Sequence, residues 1–264
     1  MSLQFIIGNS GAGKSGTAYE NIIREASANP DRLYYVIVPE QFTMQTQKTL
    51  VEMHPDGGIL NIDILSFERL AYRVFEEVGG DTRRIMEETG KNMVLQKLVQ
   101  MNQKDLVYLR NQMKKPGYLD EVKSLISEFM QYEIKEEELD EMIRESEDKT
   151  LLQMKLQDVK VLYQAFREYL SEHFMTAEEV LEVLAKEIQF SEKLKGSVLL
   201  LDGYTGFTPV QLEVLRELLA VCERVSVTVT MDVREQFLAM GKPHELFYMS
   251  HKMIHSLAEL TKDV

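Results

Sequence analysis

Apolar positions along this chain follow two rhythms, and the switch between them divides it. In the first 80 residues short apolar runs alternate with amphipathic stretches. Residues 3–7, 33–38 and 59–65 are continuous or alternating apolar runs of strand length, and they read as buried strands. Pro39 stops the second of them. Between the strands, apolar residues fall at helical spacing: Ala18, Ile22 and Ala26 recur at i, i+4, i+8, one face of a helix. A second helical stretch runs to Val51. A third, from Phe67 to about Val78, turns Phe67, Leu70, Ala71, Val74 and Phe75 inward, with Ser66 as its N-cap and Gly79-Gly80 as its stop.

The strand rhythm then disappears. From Lys91 to Lys195 glycine occurs once, at Gly117, and proline once, at Pro116. Leu, Met, Glu, Lys and Gln dominate, and the spacing predicts about five helices. Breaks are expected at Pro116-Gly117, around Ile134-Lys135, at Glu147–Thr150 and near Phe174–Thr176, where Thr176 and Glu179 open the last helix as a capping box. Methionines in this block read as core filling. Strand character returns at 197–201, and a second capping box, Thr208 to Gln211 with Pro209 at the first helical position, opens a helix with Leu212, Leu215, Leu218 and Leu219 on one side. Residues 225–230 are a further strand, and residues 232–264 are amphipathic or loop-like. Strands alternating with helices predict an α/β fold with a parallel sheet and helices on both faces, interrupted by an all-helical insertion.

Composition narrows the picture. With 44% hydrophobic residues, the 264-residue chain can bury a sizeable core. The net charge is −13, which argues against a general nucleic-acid-coating surface and leaves room for a local basic groove. Cys222 is the one cysteine, so neither a disulfide within the chain nor a cysteine metal cluster can form. The cytoplasm is the expected compartment, with no signal peptide visible and no stretch approaching membrane-spanning length.

The strongest chemical signal is Gly8-Asn9-Ser10-Gly11-Ala12-Gly13-Lys14-Ser15, which fits G-x-x-x-x-G-K-[ST] at every fixed position. A predicted strand precedes it and a predicted helix follows, the context that this P-loop pattern requires. Glycines let the backbone wrap a phosphate with its N–H groups inward, and the following helix aims its positive dipole end at the same anion. Lys14 is expected to reach the β- and γ-phosphates of a nucleotide such as ATP, and Ser15 to offer its hydroxyl to Mg²⁺. Asp202, closing the apolar run at 198–201, is the expected acidic partner for that Mg²⁺, whereas Asp63 lies inside its own strand. Motor ATPases commonly carry Glu directly after this Asp to polarise water. Gly203 stands there instead, and Tyr204 and Thr205 cannot act as bases near neutral pH. Binding without fast hydrolysis is the expectation.

Four blocks carry a family resemblance: the opening through Ser15, Val38–Thr43, Ile64–Leu70 and Leu201–Pro209. In this order, over residues 1–209, they resemble the AddB family, one of the two subunits of a bacterial ATP-dependent helicase–nuclease that resects double-strand breaks for recombinational repair. The resemblance implies a RecA-like, superfamily-1 helicase-like domain from residues 1–88 and 196–235, an inserted helical subdomain at 89–195, and the start of a further helical segment at 236–264. It implies a heterodimer with AddA, the translocating motor, while the helicase-like half of AddB helps recognise Chi in single-stranded DNA beside a duplex. The family's nuclease domain and its iron–sulfur cluster lie near its C-terminus. This chain looks like an N-terminal fragment without either, and nuclease activity is not expected of it.

Departures and alternatives remain. Gln4 is inside the first strand rather than upstream of it, where active helicases read adenine, and the second helicase domain with its arginine fingers is missing. Gln41, Phe42 and Thr43 fall where helicases touch single-stranded DNA; Phe42 could stack on a base, although core packing is the ordinary role for an aromatic there. Ser66, Arg69 and Arg73, the arginines beside Tyr72, are candidate DNA contacts, and equally a solvated helix face. His251 and His255, at i, i+4, read as a surface pair because no Glu or Cys completes a metal set. A free-standing P-loop enzyme such as a small-molecule kinase would need an arginine lid and a catalytic acid near the loop, and neither cluster is visible. A docking domain with a decayed loop is the third reading.

Overall fold

The computed structural model describes residues 2–79, 84–86, 88–113, 115, 117–146 and 148–262. In chain order it forms β1 (Ser2–Gly8), α1 (Lys14–Ala28), β2 (Tyr34–Ile37), α2 (Thr43–Met53), β3 (Ile62–Leu65) and α3 (Phe67–Val78). There follow β4 (Arg84–Ile85), α4 (Glu88–Met101), α5 (Leu109–Gln112), α6 (Tyr118–Gln131), α7 (Glu136–Glu145), α8 (Thr150–His173), β5 (Phe174–Met175) and α9 (Ala177–Glu187). The chain ends with β6 (Val198–Leu201), α10 (Pro209–Val221), β7 (Arg224–Thr230) and α11 (Tyr248–Leu260). It divides into two compact units, Met1–Gly80 with Leu181–Val264, and Asp81–Val180. The division lies at other residues than 88/89 and 195/196, and residues 236–262 group with the sheet.

The first unit is built on a five-stranded parallel sheet in the order β1-β7-β6-β2-β3. Its central strands β2 and β6 are buried on both faces, as apolar runs such as Val198–Leu201 require, while the edge strand β1 is exposed or half-buried up to Gly8. Tyr34, Val36, Ile62, Ile64, Val198 and Leu200 pack under Ala18, Ile22, Ile23 and Ala26 of α1 and Leu50 of α2. The alternate residues, Ile37, Leu65, Leu199, Leu201 and Val227 among them, are buried on the other face, where α3 packs on β3 and α10 on β7. Register sets what lies beneath α1. Leu200 pairs with Ser226, so Thr228 sits opposite position 202 on that same face.

β3 starts at Ile62, later than the apolar run from residue 59 predicts. The Asn61 side-chain amide donates to the carbonyls of Ala26, Asn29 and Arg32 at 3.1, 3.2 and 3.0 Å. Those bonds tie residues 59–61 to the β2 approach as a loop, and Leu60 is left fully in solvent. Both capping boxes form: Thr208 with Gln211, and Thr176 with Glu179. Gly79 ends α3 at φ 80°. Gly80, Pro116, Glu147 and Val264 lie outside the described residues.

The second unit has its own core, centred on Leu95, Ile126, Leu139, Leu162, Phe166 and Leu170. The expectation of no strand here is corrected at one point: Arg84 and Ile85 pair in parallel with Phe174 and Met175. Two residues per strand is too short for any apolar period to show. Asp158 of α8, 1% exposed, accepts backbone N–H groups from Val107, Tyr108 and Leu109 at 2.9, 2.7 and 2.7 Å. It holds the turn into α5. Asp158→Ala would strand these donors, each worth about 1–3 kcal/mol when buried and unpaired. A loss of about 2–4 kcal/mol is expected, and an unchanged urea midpoint by circular dichroism contradicts it.

Among the described residues, no helix is long and apolar enough to cross a membrane.

Candidate nucleotide-binding site

Ligands of open parallel sheets bind beyond the carboxyl ends of the strands, and here the loop and Asp202 meet at that edge. Gly8 ends β1 and Asp202 follows β6, with β7 between them. Gly11 and Gly13 take φ 74° and 82°, left-handed values that a side chain disfavours, and they turn the chain from β1 into α1. Gly13 caps α1 without any side-chain bond, and the first turn carries no acidic residue. The positive end of a 15-residue helix is therefore uncompensated at the loop. Lys14 lies over the loop, its ammonium donating to the Asn9 carbonyl at 2.9 Å. Asn9, Ser10, Gly11, Ala12 and Gly13 are exposed around it.

Asp202, 6% exposed, is the hub. The Ser15 hydroxyl donates to its Oδ1 at 2.9 Å, Thr228 of β7 to the same oxygen at 2.6 Å, and Tyr19 of α1 to Oδ2 at 2.5 Å. Residues 187 positions apart thus meet. A hydroxyl and a carboxylate are hard oxygen donors, which suit Mg²⁺, so Ser15 and Asp202 fit the ion the sequence implies. Burial pushes the Tyr19 phenol well above its usual pKa, the bond and charge of Asp202 add to that, and the Thr46 hydroxyl acts in the opposite sense. Tyr19 therefore stays a proton donor to Asp202. Reading the sequence alone misses both Tyr19 and Thr228. The signals that could find them are spacing and register: Tyr19 stands four residues after Ser15 on one helix face, and Thr228 lies opposite position 202.

Gly203 adopts φ 82°, with Pro39 and Phe42 packed beside it. Next to Asp202 and Gly203 lies a cavity of about 340 Å³, also lined by Ser15, Tyr19, Phe42 and Thr46. Tyr204 is packed edge-on against Phe67 at 5.7 Å, and burial, with Glu40 nearby, pushes its phenol well up. It is no base.

The other candidates are placed as follows. Gln41 and Phe42 lie in a short 3₁₀ turn, Glu40–Phe42. Phe42 is 44% exposed rather than core, with its ring beside Gly203. Thr43 is buried and donates to the Glu40 carbonyl at 2.9 Å; Ser66 is buried and caps α3 by accepting from Arg69 N. Arg69 pairs with Glu40 at 3.1 Å and Arg73 with Asp63 at 3.2 Å. Both pairs are largely exposed, so each is weak enough for a phosphate to compete. His251 corrects the surface-pair expectation: it is 4% exposed, with Nδ1 unpartnered and Nε2 3.9 Å from Glu235, while His255 is exposed. Residues 232–247 fold back over it, and their loop character carries no period from which burial could be read. Among the described residues no group of three or more His, Cys, Asp or Glu could hold a metal.

Comparison with known proteins places the chain. The family described as "ADDB, N-terminal" matches residues 5–264. A protein of Lachnoclostridium phytofermentans, named as the B subunit of an ATP-dependent helicase/deoxyribonuclease, is 45% identical over 98% of this chain and 23% of its own length. Proteins of the same name from Alkaliphilus metalliredigens and Clostridium tetani are 34% and 36% identical over 96% and 87% of this chain. The chain spans 20–23% of the length of these three relatives.

Proposed function

The chain belongs to the AddB N-terminal family, and on that premise we propose that it is the nucleotide-binding, helicase-like N-terminal region of an AddB protein. In this reading the sheet is a RecA-like P-loop domain that takes Mg²⁺-ATP, with phosphates on residues 8–15 and the ion between Ser15 and Asp202. The observation that carries it is the Ser15–Asp202 bond of 2.9 Å directly beneath the glycine loop. Bound nucleotide would bring triphosphate charge and Mg²⁺; the chain's own residues bind and orient it. Backbone N–H groups and the α1 dipole face the phosphates, Lys14 exchanges the Asn9 carbonyl for a phosphate oxygen, and Asp202 is kept in place by Thr228 and Tyr19.

Such a protein works with a partner, AddA in this reading, on single-stranded and duplex DNA during repair of double-strand breaks by homologous recombination. Single-stranded DNA, Chi included, would pass the Gln41–Thr43 turn and the Ser66, Arg69 and Arg73 face of α3, while the partner supplies the motor. The nuclease and iron–sulfur cluster belong to the longer proteins of the family.

Calorimetric titration of the 264-residue chain with ATP tests the reading. Saturable binding at one site that requires Mg²⁺ is expected. No heat at any concentration favours a docking domain with a decayed loop, and phosphate transfer to a small acceptor favours a kinase.

A further inference from the structure

We propose that Tyr19 is a positioning residue that fixes one oxygen of Asp202 and passes the position of Phe42 and α2 to the metal-binding face. The inference rests on the nucleotide-binding reading above and names how that site is regulated.

The two carboxylate oxygens of Asp202 have separate duties. Oδ1 faces Ser15, the side on which the ion would sit, at 2.9 Å and also accepts from Thr228 at 2.6 Å. Oδ2 is held by the Tyr19 hydroxyl at 2.5 Å. A carboxylate with one oxygen tied to a phenol cannot rotate freely, so its free lone pairs keep one direction. Tyr19 is 6% exposed and lines the cavity that Phe42, Thr46, Asp202 and Gly203 also line. Phe42 is the residue that precedes α2, Thr46 lies one turn into that helix, and the Phe42 ring sits over Gly203, the neighbour of Asp202. A ligand that engages the exposed Phe42 ring acts on both walls of this cavity. It acts through Gly203 on the backbone that carries Asp202, and through Thr46 on the hydroxyl that holds Oδ2. A nucleobase of single-stranded DNA is a ligand of that chemistry, since every base offers a face to stack.

Linkage makes the proposal measurable: if DNA changes nucleotide affinity, nucleotide changes DNA affinity by the same factor. Mg²⁺-ATP binding to the 264-residue chain is titrated with and without a dT oligonucleotide, for the wild type, Tyr19→Phe and Thr46→Val. Tyr19→Phe keeps the packed ring and removes only the donor. We expect the wild type to show coupling of about fivefold or more. In Tyr19→Phe the Mg²⁺ concentration for half-maximal binding should rise about tenfold, as loss of one charge-assisted bond predicts, and coupling should fall to within about twofold. Thr46→Val should weaken coupling as well, and wild-type coupling in that variant overturns the path through Thr46. Tyr19→Phe with wild-type coupling overturns the relay, as does a wild type that binds both ligands independently; in both cases the nucleotide reading stands. A wild type that binds no nucleotide overturns both.

Discussion

Lys14→Ala is expected to weaken Mg²⁺-ATP binding by about 100-fold or more, the scale on which removing one member of a closely paired charge acts. The loop itself contributes neutral groups, and the bond of Lys14 to the Asn9 carbonyl keeps its ammonium over the loop. That bond is exposed and tethers the side chain only to its own loop, so the fold should not register the change. Calorimetry measures the first half of this expectation and urea denaturation the second. Equal affinity in mutant and wild type would remove residues 8–15 from the nucleotide site; a lowered denaturation midpoint would mean that the loss of binding reports unfolding instead.

Much of the architecture could be read from the chain because local and global preferences agree in it. The central strands β2 and β6 are apolar runs buried on both faces, and such runs need no partner to be recognised. Ser66, Thr176 and Thr208 cap the helices they precede, since each side chain is followed by a backbone N–H it can satisfy. Failures fall where long-range contacts decide. Residues 59–61 have strand composition, yet one amide, Asn61, makes three bonds to a distant segment and holds them as loop. His251 has surface spacing beside His255, yet the preceding loop covers it.

The site divides in the same way. The glycine loop and Asp202 are local patterns with a fixed chemistry, and the fold brings Ser15 and Asp202 to 2.9 Å. Thr228 and Tyr19 complete the grip on the carboxylate, and neither belongs to a motif. Their role follows from strand register and helix pitch, which become usable only once β6, β7 and α1 are known to be neighbours. Phe42 shows the limit from the other side. An aromatic after an apolar strand is ordinarily core, yet this ring lies beside Gly203 and half in solvent.

Hydrolysis by this chain alone should be negligible even with nucleotide bound, and the reason lies in the backbone as much as in the missing side chain. Water attacking a γ-phosphate needs a group to orient it, and after Asp202 that group would stand at 203. Gly203 has φ 82°, a conformation that L side chains rarely adopt. A Cβ there would lie 3.5 Å from Pro39 Cδ and 4.0 Å from Phe42 Cδ2, ordinary contact distances, so the cost of a side chain lies in the backbone conformation. Gly203→Glu is therefore expected not to restore turnover, because a side chain at φ 82° is strained and would shift the backbone that carries it. Tyr204, its phenol raised by burial, cannot take a proton near neutral pH. In the proposed reading an arginine finger, a group worth roughly 10³–10⁵ in rate where it is used, would come from a partner. What remains, Lys14, Ser15 and Asp202, favours the ground state, and ground-state binding does not lower the chemical barrier. Steady-state phosphate release, with and without single-stranded DNA and beside a Lys14→Ala control, measures this. Turnover of about 1 per second or faster that DNA stimulates and the control abolishes would show that another residue supplies the base. Turnover at background in the wild type and in Gly203→Glu alike is the expected result, and it makes nucleotide at this site a structural or regulatory ligand rather than a fuel.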